Sequence, residues 1–300
     1  MRWEGVFPAV TTQFDAAFKL DLEATGKVID ALIRDGVDGL IIGGTVGEGT
    51  SLTGPEKRAL LEAAVDAAKK RVPVVAGVAE NTTQIAGELA RDAQRIGVDG
   101  LMVMPAMVYS AKPRETVGHF RGVARASSLP IMLYNNPPIY RVDVTPQMIA
   151  ALADVETIVA VKESAGATSR YVDILNAVGN RFTLFCGLDD VILESVLLGC
   201  VGWVSGLSNA FPREGNEMFR LARAGRWAEA MQLYRWFMPL LHLDARADLV
   251  QCIKLCEQIA GRGSERVRPP RLALEGAERH HVESVMREAL ATRPNLSRAA

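Results

Sequence analysis

The chain has 300 residues, of which 49% are hydrophobic and 23% charged, so its composition is that of an ordinary folded protein and excludes extensive disorder. Its 34 lysines and arginines nearly balance 35 aspartates and glutamates, and the net charge of −1 favours neither nucleic acid nor an anionic membrane as a partner. A small molecule is therefore the expected partner.

The N-terminal segment MRWEGVFPAVTTQF lacks the long apolar run of a secretory signal, and no stretch approaches the ~18 apolar residues that suggest a membrane span. We therefore expect a cytoplasmic protein. The four cysteines show no regular disulfide spacing, as is usual in that compartment. Cys252 and Cys256 lie four residues apart in a helical pattern, but neither a histidine nor a second cysteine pair lies at ligand spacing, so no metal site is expected.

Eight short apolar runs follow one another along the chain and are predicted to be strands. They are nearly continuous rather than alternating, which is typical of strands buried on both faces of a parallel sheet. The runs are GVFPAVT (5–11), GLIIGGT (39–45), VPVVAGV (72–78), GLMVMP (100–105), LPIMLYNN (129–136), TIVAVKES (157–164), FTLFCG (182–187) and GWVSGL (202–207). Helical patterns separate them, for example Leu22 to Asp35 and Pro55 to Lys70.

Three junctions between a helix and the next strand share the pattern Gly-x-x-Gly, at residues 36–39, 97–100 and 199–202. Glycine suits the left-handed helix cap and the tight turn that such a junction requires. The first two junctions lie 61 residues apart, which corresponds to two βα units. The repeat predicts a chain built from βα units.

Eight such units predict a (β/α)₈ barrel, or TIM barrel, rather than a doubly wound sheet, which usually has fewer strands and a glycine fingerprint that this chain lacks. After the eighth strand the pattern is all-helical. The predicted helices are 212–224, 227–243, 245–260 and 276–291. We therefore expect a catalytic barrel domain over residues 1–225 and a helical C-terminal extension over residues 226–300.

Polar residues follow several of the predicted strands, at the barrel face where active sites of this fold lie. The segments are Gly44-Thr45-Val46-Gly47-Glu48, Tyr134-Asn135-Asn136, Lys162-Glu163-Ser164, Gly187-Leu188-Asp189-Asp190 and Ser205-Gly206. Lys162 follows four apolar residues, so its amine is placed at the end of a buried strand. Such a lysine can extend to water, but burial also disfavours the ammonium form, and a neutral amine can attack a carbonyl to form a Schiff base.

Tyr134 ends the neighbouring strand and is a candidate to carry protons to and from the carbinolamine, with the Thr45 hydroxyl as a relay. An aromatic residue at this position can equally well pack beneath a loop. The Asn-Asn-Pro-Pro sequence that follows predicts a rigid turn, which fits either interpretation.

These strand-end residues together resemble those of a known family. The motifs GTVGEGTSLT, YNNPP, VKES and GLDD are similar, in order along essentially the whole chain, to those of the dihydrodipicolinate synthase and N-acetylneuraminate lyase family of class I aldolases. The resemblance implies that Lys162 is the Schiff-base lysine and Tyr134 the proton shuttle. It also implies that the backbone around Thr45, Val46 and Gly47 binds the carboxylate of a 2-oxo acid, that no cofactor or metal is needed, and that the protein is a homotetramer.

Three departures from the family pattern bear on the substrate. The synthases carry GTTGE, two adjacent tyrosines after strand four, and an arginine after strand five that binds a second carboxylate. This chain has Val46 for the second threonine, residues 106–107 (Ala-Met) where the tyrosine pair begins, and Ile139 at the arginine position. Tyr109 and Arg141 lie nearby but out of register. A dicarboxylic aldehyde acceptor is therefore disfavoured, which leaves 4-hydroxy-tetrahydrodipicolinate synthase or another pyruvate-dependent aldolase as the alternative.

A narrower likeness concerns LYNNPP, the segment from FCGLDD to SNAFPRE, and residues 235–278, which are similar to the branch that deaminates 1-pyrroline-4-hydroxy-2-carboxylate in hydroxyproline degradation. By this likeness, Lys162 adds to C2 of the cyclic imine, the C4 hydroxyl leaves as water, and hydrolysis releases ammonia and 2-oxoglutarate semialdehyde. The substrate is thus expected to be a 2-oxo acid or a cyclic imino acid. A barrel that serves only as an oligomer scaffold is the non-enzymatic alternative.

Asp189, Ser205 and Gly206 are candidates to bind the distal part of the substrate, with Asp190 beside them. Relatives hold that part of the substrate at the corresponding strand ends. An aspartate directly before Val191-Ile-Leu is equally suited to capping a helix. The sequence leaves both roles open.

Overall fold

The computed structural model describes residues 3–106 and 109–296. Eight parallel strands close into a barrel in chain order, with β1 pairing with both β2 and β8. This confirms the predicted (β/α)₈ barrel. The strands are β1 (Gly5–Val10), β2 (Leu40–Ile42), β3 (Val74–Val78), β4 (Gly100–Val103), β5 (Ile131–Asn135), β6 (Ile158–Glu163), β7 (Thr183–Cys186) and β8 (Gly202–Ser205).

Each strand lies within one predicted apolar run, and nearly all strand residues are buried because helices cover the outside of the barrel. The strands are shorter than the runs, because residues at one or both ends of each run have no strand pairing. The predicted runs therefore located the strands but overestimated their length.

The two glycines of each Gly-x-x-Gly junction have different functions. The first, at positions 36, 97 and 199, has a φ between +92° and +105°, as expected for a left-handed helix cap. The second makes room for an aromatic ring: a Cβ on Gly39 would lie 2.3 Å from Phe7, and one on Gly202 would lie 2.2 Å from Phe185. The second glycine is thus required by packing.

Twelve helices are formed by the described residues. They are α1 (Leu22–Arg34), α2 (Gly54–Ala68), α3 (Thr83–Ile96), α4 (Pro113–Ala124), α5 (Pro137–Tyr140), α6 (Pro146–Ala150), α7 (Ser169–Val178), α8 (Ile192–Leu197), α9 (Pro212–Arg223), α10 (Trp227–Leu241), α11 (Leu249–Ile259) and α12 (Gly276–Ala291). None of the described helices combines the length and the apolar composition that a membrane span requires.

Helices α10 to α12 lie within residues 226–300, the span predicted to be a C-terminal extension, and their buried residues belong to the same hydrophobic core as the barrel. Phe211, which precedes α9, packs edge-on against Trp236 and Phe237 of α10. The third predicted helix, 245–260, begins only at Leu249, because residues 242–248 form turns. These turns lie at the mouth of the barrel.

A buried ion pair joins the extension to the loop after β2. Lys254 of α11 and Glu48 are both fully buried, and the Lys254 Nζ lies 3.0 Å from a Glu48 carboxylate oxygen. The same amine donates to the backbone carbonyl of Thr12 at 2.8 Å and to that of Arg266. Burial lowers the pKa of Lys254, and the Glu48 charge opposes this effect. The loop after β2 therefore depends on the extension for its support.

Candidate active site

A cavity of about 490 Å³ opens at the carboxyl ends of the strands. Its wall includes five of the residues predicted from the sequence to form the site: Lys162, Tyr134, Thr45, Val46 and Gly206. Residues 244–247, in the turns between α10 and α11, complete the wall. The C-terminal extension thus contributes directly to the cavity.

Lys162 lies near the end of β6 and is only 5% exposed. Its partner across the sheet is Tyr134 of β5, and the Lys162 Nζ lies 3.7 Å from the centroid of the Tyr134 ring. On the other side, a Cβ on Gly187 would lie 2.7 Å from the Lys162 Cε and 2.0 Å from the Ser164 hydroxyl. The side chain is therefore held between an aromatic face and bare backbone, with its amine at the cavity.

Ser164 lies two residues beyond Lys162 and also lines the cavity. It is almost fully buried, and its hydroxyl has no hydrogen-bond partner among residues 3–106 and 109–296. A buried hydroxyl without a partner is costly, so a polar group of a bound ligand would satisfy it. The sequence placed Ser164 at a strand end but did not assign it a role.

Tyr140 was missed by the sequence analysis. It is the last residue of α5, and its hydroxyl lies 2.5 Å from the Thr45 hydroxyl. The Tyr140 and Tyr134 rings meet edge to face with centroids 5.4 Å apart, while the Tyr134 hydroxyl accepts a hydrogen bond from Asn136. Burial, with a smaller contribution from Tyr134, raises the pKa of Tyr140. The Thr45 hydroxyl thus contacts Tyr140, whose ring packs against Tyr134, and the relay from Tyr134 to Thr45 stays a prediction to which Tyr140 is added.

The loop after β2 is tightly packed backbone. Gly43 has a φ of +72°, and a Cβ on Gly47 would lie 2.7 Å from the carbonyl oxygen of Val10. The Gly47 carbonyl accepts a hydrogen bond from the Thr12 hydroxyl at 2.6 Å. Val46 lines the cavity. Gly47 has no room for a side chain, so it permits the close packing of the loop, and its contact with substrate stays a prediction.

Asp189 and Ser205, which were predicted to bind the distal part of the substrate, make hydrogen bonds within the protein. Asp189 is 1% exposed, and it accepts hydrogen bonds from the Trp203 indole at 2.9 Å and the Leu207 backbone N–H at 2.7 Å. Ser205 is fully buried and accepts a hydrogen bond from the Ser208 backbone N–H. Neither is among the residues that line the cavity, and their hydrogen bonds connect the ends of β7 and β8. Their contact with substrate stays a prediction. The alternative of a helix cap is not realised either. Helix α8 has no side-chain cap, and the partners of Asp189 are Trp203 within β8 and the backbone N–H groups of Gly206 and Leu207 after it.

Two other aspartates do line the cavity. Asp190 lies next to Asp189 in sequence but faces the cavity, with its carboxylate 3.3 Å from the His242 ring. Asp244 comes from the turn after α10 and packs against Gly206. Burial raises the pKa of Asp244 to about 6, while the positive charge of Lys162 lowers it and Asp190 raises it. The distal end of the cavity is therefore lined by carboxyl groups.

The positions that depart from the family pattern were also located. Ile139 lines the cavity, so no cation occupies the predicted arginine position. Arg141 is exposed in a left-handed conformation after α5, and Tyr109 is 60% exposed. Neither contributes to the cavity wall. Met107, one of the two residues where the tyrosine pair of the synthases begins, lies outside the described residues.

A cation is present at the cavity mouth but is paired. The Arg246 guanidinium lines the cavity and donates two hydrogen bonds to the Asp248 carboxylate, at 2.8 and 2.9 Å. No group of three or more histidines, cysteines, aspartates or glutamates in the described part of the chain is arranged to hold a metal ion. Cys252 and Cys256 are buried free thiols.

Comparisons with known proteins agree with this geometry. Residues 2–289 match the model of the dihydrodipicolinate synthetase family. The chain is 31% identical over 283 residues to 4-hydroxy-tetrahydrodipicolinate synthase 2 of Halalkalibacterium halodurans, covering 94% of this chain and 97% of that protein. It is 33% identical over 265 residues to a probable 2-dehydro-3-deoxy-D-pentonate aldolase of Escherichia coli, covering 87% and 88% of the two chains. It also superposes on the crystal structure of YagE, a prophage protein of Escherichia coli in complex with pyruvate, with a TM-score of 0.91, 29% identity, and 96% and 99% of the chains covered.

Proposed function

Because this chain belongs to the dihydrodipicolinate synthetase family, we propose that Lys162 forms a Schiff base with C2 of a 2-oxo acid or a cyclic imino acid. The single observation that carries this proposal is the buried Lys162 amine at the cavity, placed over the Tyr134 ring. The aromatic face and the backbone at Gly187 hold the amine at the cavity, where it can attack a carbonyl. The crystal structure of the relative YagE with pyruvate supports a 2-oxo acid as ligand.

In this proposal the substrate carboxylate lies at the loop after β2. The loop turns tightly at Gly43 and is closely packed at Gly47. Backbone N–H groups of such a loop, around Thr45 and Val46, would bind the anion. Tyr134 transfers protons to and from the carbinolamine. Thr45 and Tyr140 connect it to a chain of hydroxyl groups.

For the substrate we propose 1-pyrroline-4-hydroxy-2-carboxylate. Ile139 leaves no cation for a second carboxylate at that position, and Arg246 is already paired with Asp248, so a dicarboxylic acceptor gains little here. The distal wall instead offers Asp190 and Asp244. Carboxyl groups suit a hydroxyl or a protonated amine, which are the groups that C4 and C5 of the opened ring carry.

The chemistry then follows from the Schiff base. Attack of Lys162 on C2 opens the ring and leaves an amine on C5. Loss of a proton from C3 gives an enamine, whose electrons expel the C4 hydroxyl as water. Loss of a proton from C5 and protonation of C3 then move the double bond to C4–C5, and protonation of C4 turns this enamine into an imine at C5. Water adds to the C5 imine and releases ammonia, and a second water adds at C2, which releases 2-oxoglutarate semialdehyde and regenerates the lysine.

The second candidate is a pyruvate-dependent aldolase or synthase of the same family. It is favoured by the names of the relatives, which include synthases of 4-hydroxy-tetrahydrodipicolinate and a probable pentonate aldolase. It would use the same lysine and differ in the acceptor at the distal end. The predicted homotetramer is retained as a proposal.

Two measurements test these proposals. Incubation with pyruvate or the pyrroline carboxylate, followed by borohydride, should add the mass of the reduced adduct at Lys162, and Lys162→Ala should abolish both the adduct and turnover. An unchanged mass for the wild-type protein would exclude the Schiff base. Ammonia release from 1-pyrroline-4-hydroxy-2-carboxylate then decides between the candidates, since an enzyme that ignores this compound but consumes pyruvate with an aldehyde is an aldolase.

A further inference from the structure

The turns between α10 and α11 bring a carboxyl group into the cavity from outside the barrel. Of the described residues, Asp190 and Asp244 are the two acidic side chains that line it. Asp244 follows α10 in the C-terminal extension, far along the chain from the strand ends that supply Lys162 and Tyr134. One side of the barrel mouth is thus lined by the carboxyl group of Asp244, which lies outside the eight βα units.

Asp244 is fixed in place by its neighbours. A Cβ on Gly206 would lie 2.4 Å from a carboxylate oxygen of Asp244, so the carboxyl group packs directly on the backbone at the end of β8. Asp190, by contrast, has a partly exposed side chain beside the exposed ring of His242. Asp189 is occupied by hydrogen bonds from Trp203 and Leu207. Of these three aspartates, Asp244 combines a rigid position with access to the cavity.

The electrostatic surroundings of Asp244 suit an acid. Burial raises the pKa of its carboxyl group to about 6. The groups that face it are Lys162 of β6 and the backbone N–H of Asp189, which lower this pKa, and Asp190 after β7, which raises it. The neighbouring Asp189 has its own pKa raised by burial and by Asp244. A carboxyl group with such a pKa can donate a proton near neutral pH and be recharged by solvent.

We propose that Asp244 is a catalytic residue that protonates the C4 hydroxyl of the substrate as it leaves. This inference rests on the proposed deaminase function. In the step, the electrons of the enamine formed on Lys162 move to make the C3–C4 double bond, the C4–O bond breaks, and the Asp244 proton completes a water molecule. Asp244 is left as a carboxylate next to the C5 amine, and it takes up a proton from solvent before the next turnover.

The proposal assigns proton transfers at different substrate atoms to the two ends of the cavity. Tyr134, Tyr140 and Thr45 serve proton transfer near C2 and the carboxylate, while Asp244 serves C4. Formation of the Schiff base therefore does not require Asp244, whereas loss of the hydroxyl does. This separation makes the proposal testable with one variant and two substrates.

The experiment compares Asp244→Asn with the wild-type protein, with Asp66→Asn as a control on the exposed face of α2. Borohydride trapping with pyruvate should be retained in Asp244→Asn, while kcat for ammonia release from 1-pyrroline-4-hydroxy-2-carboxylate should fall by roughly 10²–10⁴-fold, the usual effect of removing a positioned acid. The Asp66→Asn control should match the wild-type protein in both assays. In the wild-type protein kcat/KM should decline as the pH rises above about 6, and this decline should vanish in Asp244→Asn.

A variant that merely disturbs the fold is recognised by a second measurement. Asp244→Ala should regain ammonia release when formate or acetate is added, because a small acid can occupy the space of the missing carboxyl group. The proposal is overturned if Asp244→Asn keeps its kcat, if Asp190→Asn suffers the loss instead, or if trapping and ammonia release fall together without rescue. If the wild-type protein forms the adduct but releases no ammonia, the proposed function itself fails, and this outcome is distinct from the others.

Discussion

Replacing Lys254 by methionine should destabilise the protein strongly, because it leaves the Glu48 carboxylate buried without its ion-pair partner. Both side chains are fully buried, and the Nζ to carboxylate distance is 3.0 Å. The substitution also removes the donor to the carbonyl groups of Thr12 and Arg266. Glu48 keeps a hydrogen bond from the Arg268 backbone N–H at 2.9 Å and a longer contact with the Arg271 guanidinium, so part of its charge remains compensated.

Breaking a buried ion pair by removing one partner costs about 3–5 kcal/mol in the free energy of unfolding. At roughly 2–4 °C per kcal/mol for a domain of this order of size, Tm should fall by roughly 6–20 °C. We expect the lower part of this range, because Glu48 retains its other contacts. The loop after β2 should loosen at the same time, so KM for a 2-oxo acid should rise.

The assay is thermal unfolding followed by tryptophan fluorescence at one fixed scan rate, with Lys27→Met as the matched control. Lys27 pairs with Glu23 on the surface, where the two side chains are 74% and 80% exposed, so its replacement should leave Tm unchanged within error. The double variant Glu48→Gln/Lys254→Met should recover part of the lost stability, since the buried charge is gone. A Lys254→Met protein that melts with the Lys27→Met control would refute this reasoning.

Three further predictions concern the site and the core. Tyr140→Phe should lower kcat by roughly 10²-fold or more, because the hydroxyl that contacts Thr45 is lost, while borohydride trapping at Lys162 persists. The control is Tyr109→Phe, at an exposed tyrosine. Equal kcat values for the two variants would show that Tyr140 takes no part in proton transfer. Gly187→Ala should impair borohydride trapping at Lys162, since the new methyl group would lie 2.7 Å from the Lys162 Cε. Gly118→Ala, which has open space on α4, should behave as the wild-type protein. A fully active Gly187→Ala enzyme would mean that the Lys162 side chain is free to move. Burial raises the pKa of Glu257 from 4.5 to about 7, so its carboxyl group binds a proton more tightly in the folded state than in the unfolded chain. The contribution of Glu257 to the free energy of unfolding should therefore decrease as the pH rises from about 4.5 to about 7. At about 1.4 kcal/mol for each unit of pKa, this carboxyl group accounts for up to about 3 kcal/mol. Denaturant unfolding of Glu257→Gln should therefore show a free energy of unfolding that depends less on pH over that range than in the wild-type protein. An unchanged pH dependence would show that Glu257 does not titrate there.

The barrel could be predicted because local patterns specify its repeating parts. Strands buried on both faces need continuous apolar residues, and glycine provides the left-handed cap at three of the turns from helix to strand. Eight apolar runs and three Gly-x-x-Gly junctions therefore indicated the repeat. The same logic placed Lys162 and Tyr134 at neighbouring strand ends, where parallel register brings them side by side. Position along a strand is a short-range property, and the sequence records it directly.

The rest of the site depends on contacts between segments that are distant in the chain. Asp189 and Asp190 are adjacent in sequence and equally acidic, yet Asp189 turns towards Trp203 and Leu207 and Asp190 turns towards the cavity. The position of β8 beside β7 decides this difference, and the hydrophobic periodicity of the sequence carries no information about that position. The hydroxyl contact of Tyr140 with Thr45 likewise spans 95 residues.

By itself, then, the sequence determined the barrel, its strand order and the lysine at the end of the sixth strand, because repeated patterns of hydrophobicity and glycine act over a few residues. Only the tertiary structure decided that Asp244 and Arg246 reach the cavity, that Tyr140 meets Thr45, and that Lys254 supports Glu48. The physical reason is that a polar side chain acquires its role from the groups it meets on burial, and those groups are brought together by closure of the barrel and packing of the C-terminal helices.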